Sequence, residues 1–229
     1  MIELNNVSFS YNKSHFINDL NLSFQSGNFT CLIGENGAGK TTILQLIAGL
    51  LSPQMGNVLI DSQNYLNDEP ELRKKVFATI NEPKFYNHLT AYQNLEVFCI
   101  YKSIDNNKIN EVLELLKINE NKRISELSSG MKQKLTLAFP LLYNYEVIIL
   151  DEPLANLDIF SIELVLNLFA KLDKVKNIII STHILSEFGE FFNEYILIKN
   201  GKVILQEQKD DTFLDYKKKL LEKYHNANN

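Results

Sequence analysis

The run Gly34-Glu35-Asn36-Gly37-Ala38-Gly39-Lys40-Thr41 leaves this chain few folds to choose from. It fits G-x-x-x-x-G-K-[ST], in which glycines let backbone N–H groups turn inward around phosphate oxygens. An apolar strand pattern, Phe29 to Ile33, precedes the loop, and a helical run from Thr41 to Leu51 follows it. The loop therefore opens a helix whose N-terminus adds partial positive charge. In such a loop the lysine, here Lys40, reaches the β- and γ-phosphates, and the hydroxyl of Thr41 holds Mg²⁺. A Gly-rich turn with an incidental lysine is the competing reading, and the strand–loop–helix context weighs against it. Gly34, Glu35, Asn36, Gly37, Ala38, Gly39, Lys40, Thr41 and Thr42 are the candidate nucleotide-binding residues.

A second signal stands far along the chain. Val147 to Leu150 is a continuous apolar run ending in Asp151-Glu152. Such runs mark parallel strands buried on both faces, and open α/β sheets bind ligands at the C-terminal ends of their strands. Asp151 there can hold Mg²⁺ and Glu152 can polarise the water that attacks a γ-phosphate. Acidic residues also end strands merely to meet solvent, so this pattern gains its weight from the phosphate loop in the same chain.

The rest of the pattern is that of an α/β chain. Ile2, Leu4, Val7 and Phe9, then Leu20, Leu22 and Phe24, read as antiparallel strands with one wet face. Val58 to Ile60 is another strand, and from about Thr90 to Leu142 the pattern turns helical. Ile109, Val112, Leu113 and Leu116 form one apolar helix face. Ile178 to Ile180 is a further buried strand, and Asn200-Gly201 between Tyr195–Ile198 and Val203–Leu205 signals a tight hairpin. The mixed tail from Asp210 to Tyr224 reads as a solvated amphipathic helix. With 229 residues, 45% hydrophobic and 22% charged, the chain can bury a full core. A net charge of −5 argues against a general grip on nucleic acid. Its two cysteines, Cys31 and Cys99, build no disulfide framework and read as core packing. No apolar run approaches the ~20 residues that span a bilayer.

A third motif fixes a resemblance. Leu127-Ser128-Ser129-Gly130-Met131, shortly before the Asp151 strand, resembles the LSGGQ signature of ATP-binding-cassette (ABC) ATPases, with Met131 in place of Gln. By itself, Ser-Ser-Gly before a helix is an N-cap. Other landmarks of that family occur in order. Tyr11 sits where the family stacks a ring on adenine, Leu157-Asp158 matches the D-loop, and His183 matches the switch histidine. The resemblance runs from about residue 2 to 208. It implies a P-loop NTPase of ABC type: a RecA-like parallel sheet core with an antiparallel β subdomain and a helical insert carrying the signature. The expected organisation is one domain, 1–229, with 1–84 and 143–229 forming the core and 85–142 the helical part. The Glu-Pro after Asn81, with Leu89-Thr90 and Asn94-Leu95, resembles the bacitracin-resistance and lantibiotic-immunity branch.

The chain departs from that pattern at several positions. Asn81 stands where the family carries its Q-loop glutamine and is placed with Thr41 and Asp151 as a Mg²⁺-facing residue. Pro140 falls inside the helix after the signature, where an interior proline costs about 3 kcal/mol and kinks or ends it. The D-loop lacks the branch's usual Gly before Leu157 and Pro after Asp158.

The resemblance implies a subunit that binds ATP with Mg²⁺ and hydrolyses it, with Glu152, His183 and Lys40 catalytic. Ser128 and Gly130 would cover the nucleotide of a second cassette, in a homodimer or a heterodimer. It further implies a polytopic membrane subunit as partner, contacted through Asn81 to Tyr92, and a place at the cytoplasmic face of the membrane, with no nucleic acid and no membrane span of its own. Export of an antimicrobial peptide, drug or lipid-like compound follows from the branch. The alternatives are an importer ATPase or a soluble ABC ATPase. A P-loop kinase or GTPase leaves LSSGM and His183 unexplained.

Overall fold

Ile2 and Leu4 have one parity along the chain and Val7 and Phe9 the other, yet all four are buried in strand β1 (Ile2–Phe9). A register shift between Leu4 and Val7 reconciles them: Asn6 takes φ +51°, a left-handed conformation that Asn tolerates, and the bulge turns the second pair back toward the core. Strand β2 (Ile17–Phe24) answers with Asp19 at the same φ, so that Ile17, Leu20, Leu22 and Phe24 face Phe9, Val7, Leu4 and Ile2. Strand β3 (Asn28–Ile33) leads to helix α1 (Lys40–Ile47), followed by β4 (Met55–Ile60), β5 (Gln63–Asn64) and β6 (Val76–Thr79). The computed structural model describes residues 1–11, 16–64, 74–80, 84–155, 157–170, 172, 177–183 and 187–208. Asn81 and the tail from Asp210 to Tyr224 lie outside the described residues.

The helical stretch resolves into α2 (Ala91–Lys102), α3 (Ile109–Leu115), a 3₁₀ turn (Ile124–Glu126), α4 (Ser129–Thr136) and α5 (Ala138–Leu142). Its breaks have local causes. Thr90 and Gln93 form a capping box that starts α2, and Ser103 at φ +53° ends it. Pro140 has no N–H for the Thr136 carbonyl, and the helix divides at Leu137, between α4 and α5. Strand β7 (Val147–Asp151), helix α6 (Ile159–Ala170), strand β8 (Asn177–Thr182), a 3₁₀ turn (Glu187–Phe191), β9 (Glu194–Lys199) and β10 (Lys202–Gln208) complete the described elements. Asn200 and Gly201, at φ +49° and +72°, make the two-residue turn between β9 and β10.

Two sheets form. One is antiparallel, in the order β2-β1-β4-β5. The other runs β10-β9-β3-β8-β7-β6, parallel throughout except for the β9–β10 hairpin at its edge. The described residues fall into two compact units, within 1–80, 146–152 and 175–229, and within 81–145 and 153–174. The first holds both sheets and α1, with Ile43, Leu46, Ile47, Val147, Ile149 and Ile179 in its core. In the second, Ile109, Val112, Leu113 and Leu116 pack with Leu95, Cys99 and Ile124, and Phe139 stacks on Phe85. Among the described residues no helix is long and apolar enough to cross a membrane.

Both cysteines are buried. Burial pushes the Cys31 thiol up from its ordinary value of 9.0, with the Glu152 carboxylate adding to the effect. The folded chain keeps this proton while the unfolded chain releases it above about pH 9. The stability that the neutral thiol contributes is thus complete below pH 9 and lost as pH rises beyond it, by about 1.4 kcal/mol per pH unit. Urea unfolding between pH 8 and about 10.5 is expected to show this fall, and Cys31→Ala to have a shallower slope by that amount. Equal slopes would contradict the assignment.

Candidate functional site

The parallel pairing of β3, β8 and β7 brings their C-terminal ends to one edge, with Ile33 beside Thr182 and Asp151 beside Ser181. The Gly34–Gly39 loop leaves β3 at that edge and enters α1. Gly34 is buried against the carbonyl oxygen of Ile198, which occupies the place a Cβ would take. Glu35, Asn36 and Gly37 are exposed, whereas Ala38 and Gly39 are buried, and Ala38 N–H donates to the Glu35 carbonyl at 3.1 Å. Lys40 is buried, and its Nζ donates to the carbonyls of Gly34 at 2.7 Å and Glu35 at 3.2 Å. The same Nζ lies 3.6 Å from Glu152 Oε1.

Thr41 Oγ1 donates to Asp151 Oδ2 at 2.7 Å, tying α1 to the end of β7. Ser181 donates to the other oxygen, Asp151 Oδ1, at 2.5 Å, and accepts from Glu152 N–H at 2.9 Å. Glu152 has φ +48°, unusual for a residue with a side chain. Its Oε2 lies 3.0 Å from Nδ1 of the half-exposed His183. Tyr11 is exposed, with its ring edge-on to Phe9 and its hydroxyl 3.2 Å from Oγ1 of the buried Thr42 and 3.1 Å from Gln45 Oε1. The first unit thus gathers Lys40, Thr41, Asp151, Glu152 and His183, with Tyr11 and Thr42 on one side of α1.

The signature residues belong to the other unit. Ser128 caps α4, accepting from Met131 N–H at 3.2 Å, so the N-cap reading of Ser128 is realised whatever else it does. Asp158 caps α6 through Ser161, accepting from its N–H at 3.0 Å and its hydroxyl at 2.7 Å, and these bonds hold the Asp158 carboxyl below its ordinary range.

An ATP-binding-cassette family model, described as ABC transporter, matches residues 17–155. The chain is 32% identical to the bacitracin transport ATP-binding protein BcrA of Bacillus licheniformis, over 98% of this chain and 73% of that one. The chain belongs to the ABC transporter family. It is an ATP-binding subunit and an ATPase. The lantibiotic transport ATP-binding protein SrtF of Streptococcus pyogenes is also 32% identical to this ABC ATPase, with 92% of each chain covered. In structure it is similar to a dimeric ATP-binding cassette in a post-hydrolysis state, bound to ADP and Pi (TM-score 0.81, 25% identity, 92% of this chain and all of that one). It also resembles an ATP-binding subunit of an ABC transporter (TM-score 0.86, 25% identity, all of both chains).

Two contributors to the site of this ABC ATPase carry no motif. One is Ser181, whose place beside Asp151 depends on strand register. The other is the β9–β10 turn, where Gly201 N–H donates to the Ala38 carbonyl at 2.8 Å and so braces the phosphate loop. Gly201 has φ +72°, and the Phe16 carbonyl oxygen fills the space of a side chain there. In the sequence, Asn200-Gly201 signals the turn and not its contact with Ala38. Gly201→Ala is expected to cost about 1–3 kcal/mol in urea unfolding. A change within about 0.5 kcal/mol, the range of an ordinary surface substitution, would contradict the bracing role.

Proposed function

We propose that this ATPase powers export through a polytopic membrane subunit, working as one of two facing cassettes at the cytoplasmic side of the membrane. The observation that carries the chemistry is the convergence of Lys40, Thr41, Asp151, Glu152 and His183 at one sheet edge. Lys40 now rests on two neutral carbonyls, which an anionic phosphate outcompetes as a partner for the ammonium. The backbone N–H groups from Gly37 to Thr41 and the start of α1 bind the β- and γ-phosphates, and Tyr11 stacks on the adenine. Thr41 and Asp151 offer a hydroxyl and a carboxylate oxygen 2.7 Å apart, a hard oxygen pair of the kind that binds Mg²⁺ together with substrate phosphates. Bound there, Mg²⁺ would neutralise charge on the phosphates.

Glu152 orients a water and takes its proton as the water oxygen bonds to the γ-phosphorus and the bond to the β–γ bridging oxygen breaks. The products are ADP and phosphate. His183, held against Glu152 Oε2, steadies the γ-phosphate. Ser128 and Gly130 of the second cassette cover the nucleotide, where α4 presents its N-terminus to the γ-phosphate. The dimeric cassette with ADP and Pi supports this arrangement. Export of an antimicrobial peptide or lipid-like compound is supported by the names of the bacitracin and lantibiotic relatives.

Glu152→Gln keeps the shape of the side chain and loses its charge at the attacking water. It is expected to bind ATP as the parent does, to hydrolyse it about 10²–10⁴-fold more slowly, and to accumulate an ATP-dependent dimer in sedimentation. Hydrolysis at the parental rate would overturn the assignment of Glu152.

A further inference from the structure

Ser181 is the penultimate residue of β8, two positions before His183, and its neighbour across the β7–β8 pair is Asp151. It is 0% exposed. Its hydroxyl makes two bonds of opposite sense, donating to Asp151 Oδ1 at 2.5 Å and accepting from Glu152 N–H at 2.9 Å. A hydroxyl has one hydrogen to give and lone pairs to receive with, so both capacities are used at once. The remaining oxygen of Asp151 is taken by Thr41. Among side chains of this size, only Ser and Thr can make both bonds well; cysteine does so weakly.

The bond to Glu152 has a particular consequence. Glu152 stands at φ +48°, where a Cβ crowds the backbone and the conformation persists only when its surroundings over-determine it. That backbone turn aims the carboxylate so that Oε2 meets His183 Nδ1 at 3.0 Å and Oε1 lies 3.6 Å from Lys40 Nζ. The bond from Glu152 N–H to Ser181 Oγ is one of the constraints that hold this conformation.

We infer that Ser181 is a positioning residue for hydrolysis: its hydroxyl locks the Glu152 backbone into the turn that aims the carboxylate, and couples that turn to Asp151. The inference rests on Glu152 being the group that orients the attacking water. It predicts that a fully buried hydroxyl, bonded to Asp151 and Glu152, controls kcat and leaves ATP binding alone.

Steady-state ATP hydrolysis by the purified full chain tests it, with thermal melts of each variant. Ser181→Ala is expected to lower kcat by about ten- to a hundredfold while the half-saturating ATP concentration stays within about threefold of the parent. Ser181→Thr and Ser181→Val have nearly the same shape and differ in the hydroxyl, so they decide the matter even if the alanine variant folds poorly. The threonine variant is expected to turn over at least about tenfold faster than the valine variant. In a Glu152→Gln background, Ser181→Ala is expected to lower the residual rate by less than about twofold, because it acts through Glu152. Equal turnover of the threonine and valine variants overturns the inference, as does a full additional loss in the Glu152→Gln background. If Glu152→Gln itself hydrolyses ATP at the parental rate, the reading of Glu152 fails and the role of Ser181 falls with it. A slow Glu152→Gln beside a hydroxyl-independent Ser181 series overturns the role of Ser181 alone.

Discussion

Asp151 is held at both carboxylate oxygens, by Thr41 from the start of α1 and by Ser181 from the adjoining strand. This two-sided hold exists because β7 and β8 pair in parallel from Val147 beside Asn177 to Asp151 beside Ser181, without a shift. A slip of one residue would turn Asp151 to the opposite face and bring Thr182 or Ile180 in place of Ser181. The buried apolar run before Asp151 prevents that slip, since both faces of β7 are packed and Val147 to Leu150 are all within the core. Hydrophobic burial, summed over several strands, thus sets sub-ångström relations among polar groups that could not hold one another in place alone.

The same edge carries three kinds of constraint on one loop. Gly34 lies against the Ile198 carbonyl, Ala38 accepts from Gly201, and Lys40 turns back onto the carbonyls of Gly34 and Glu35. The loop is therefore preorganised by β9, β10 and its own lysine. A phosphate bound there, as proposed, would exchange neutral acceptors for an anion at Lys40 with little reordering of the backbone, which is how a built site limits the entropy lost on binding.

Much of this was legible in the residues because the signals are local. The phosphate loop lies within eight consecutive positions, the strand ending in Asp151-Glu152 within six, and the β9–β10 turn within two. The apolar face from Ile109 to Leu116 is likewise a matter of spacing along one helix. What sequence could not supply is parity changes and cross-strand neighbours. Val7 and Phe9 reach the core only through the bulge at Asn6, and alternation alone would have turned them to solvent. Ser181 is 30 positions from Asp151 and acquires its role through strand order, β3-β8-β7, which no local pattern encodes. The helical stretch is divided by Ser103 and Lys117 in left-handed conformations, positions where no glycine announces a stop.

In the proposed function, the loop ending in Lys40 and Thr41 holds the ATP phosphates. Equilibrium titration of a fluorescent ATP analogue with Mg²⁺ against the parental chain and Lys40→Ala tests this. At least about tenfold weaker binding by the variant is expected, a loss of roughly 1.4 kcal/mol or more, without a matching fall in its urea unfolding midpoint. Equal affinity of the two chains would contradict it.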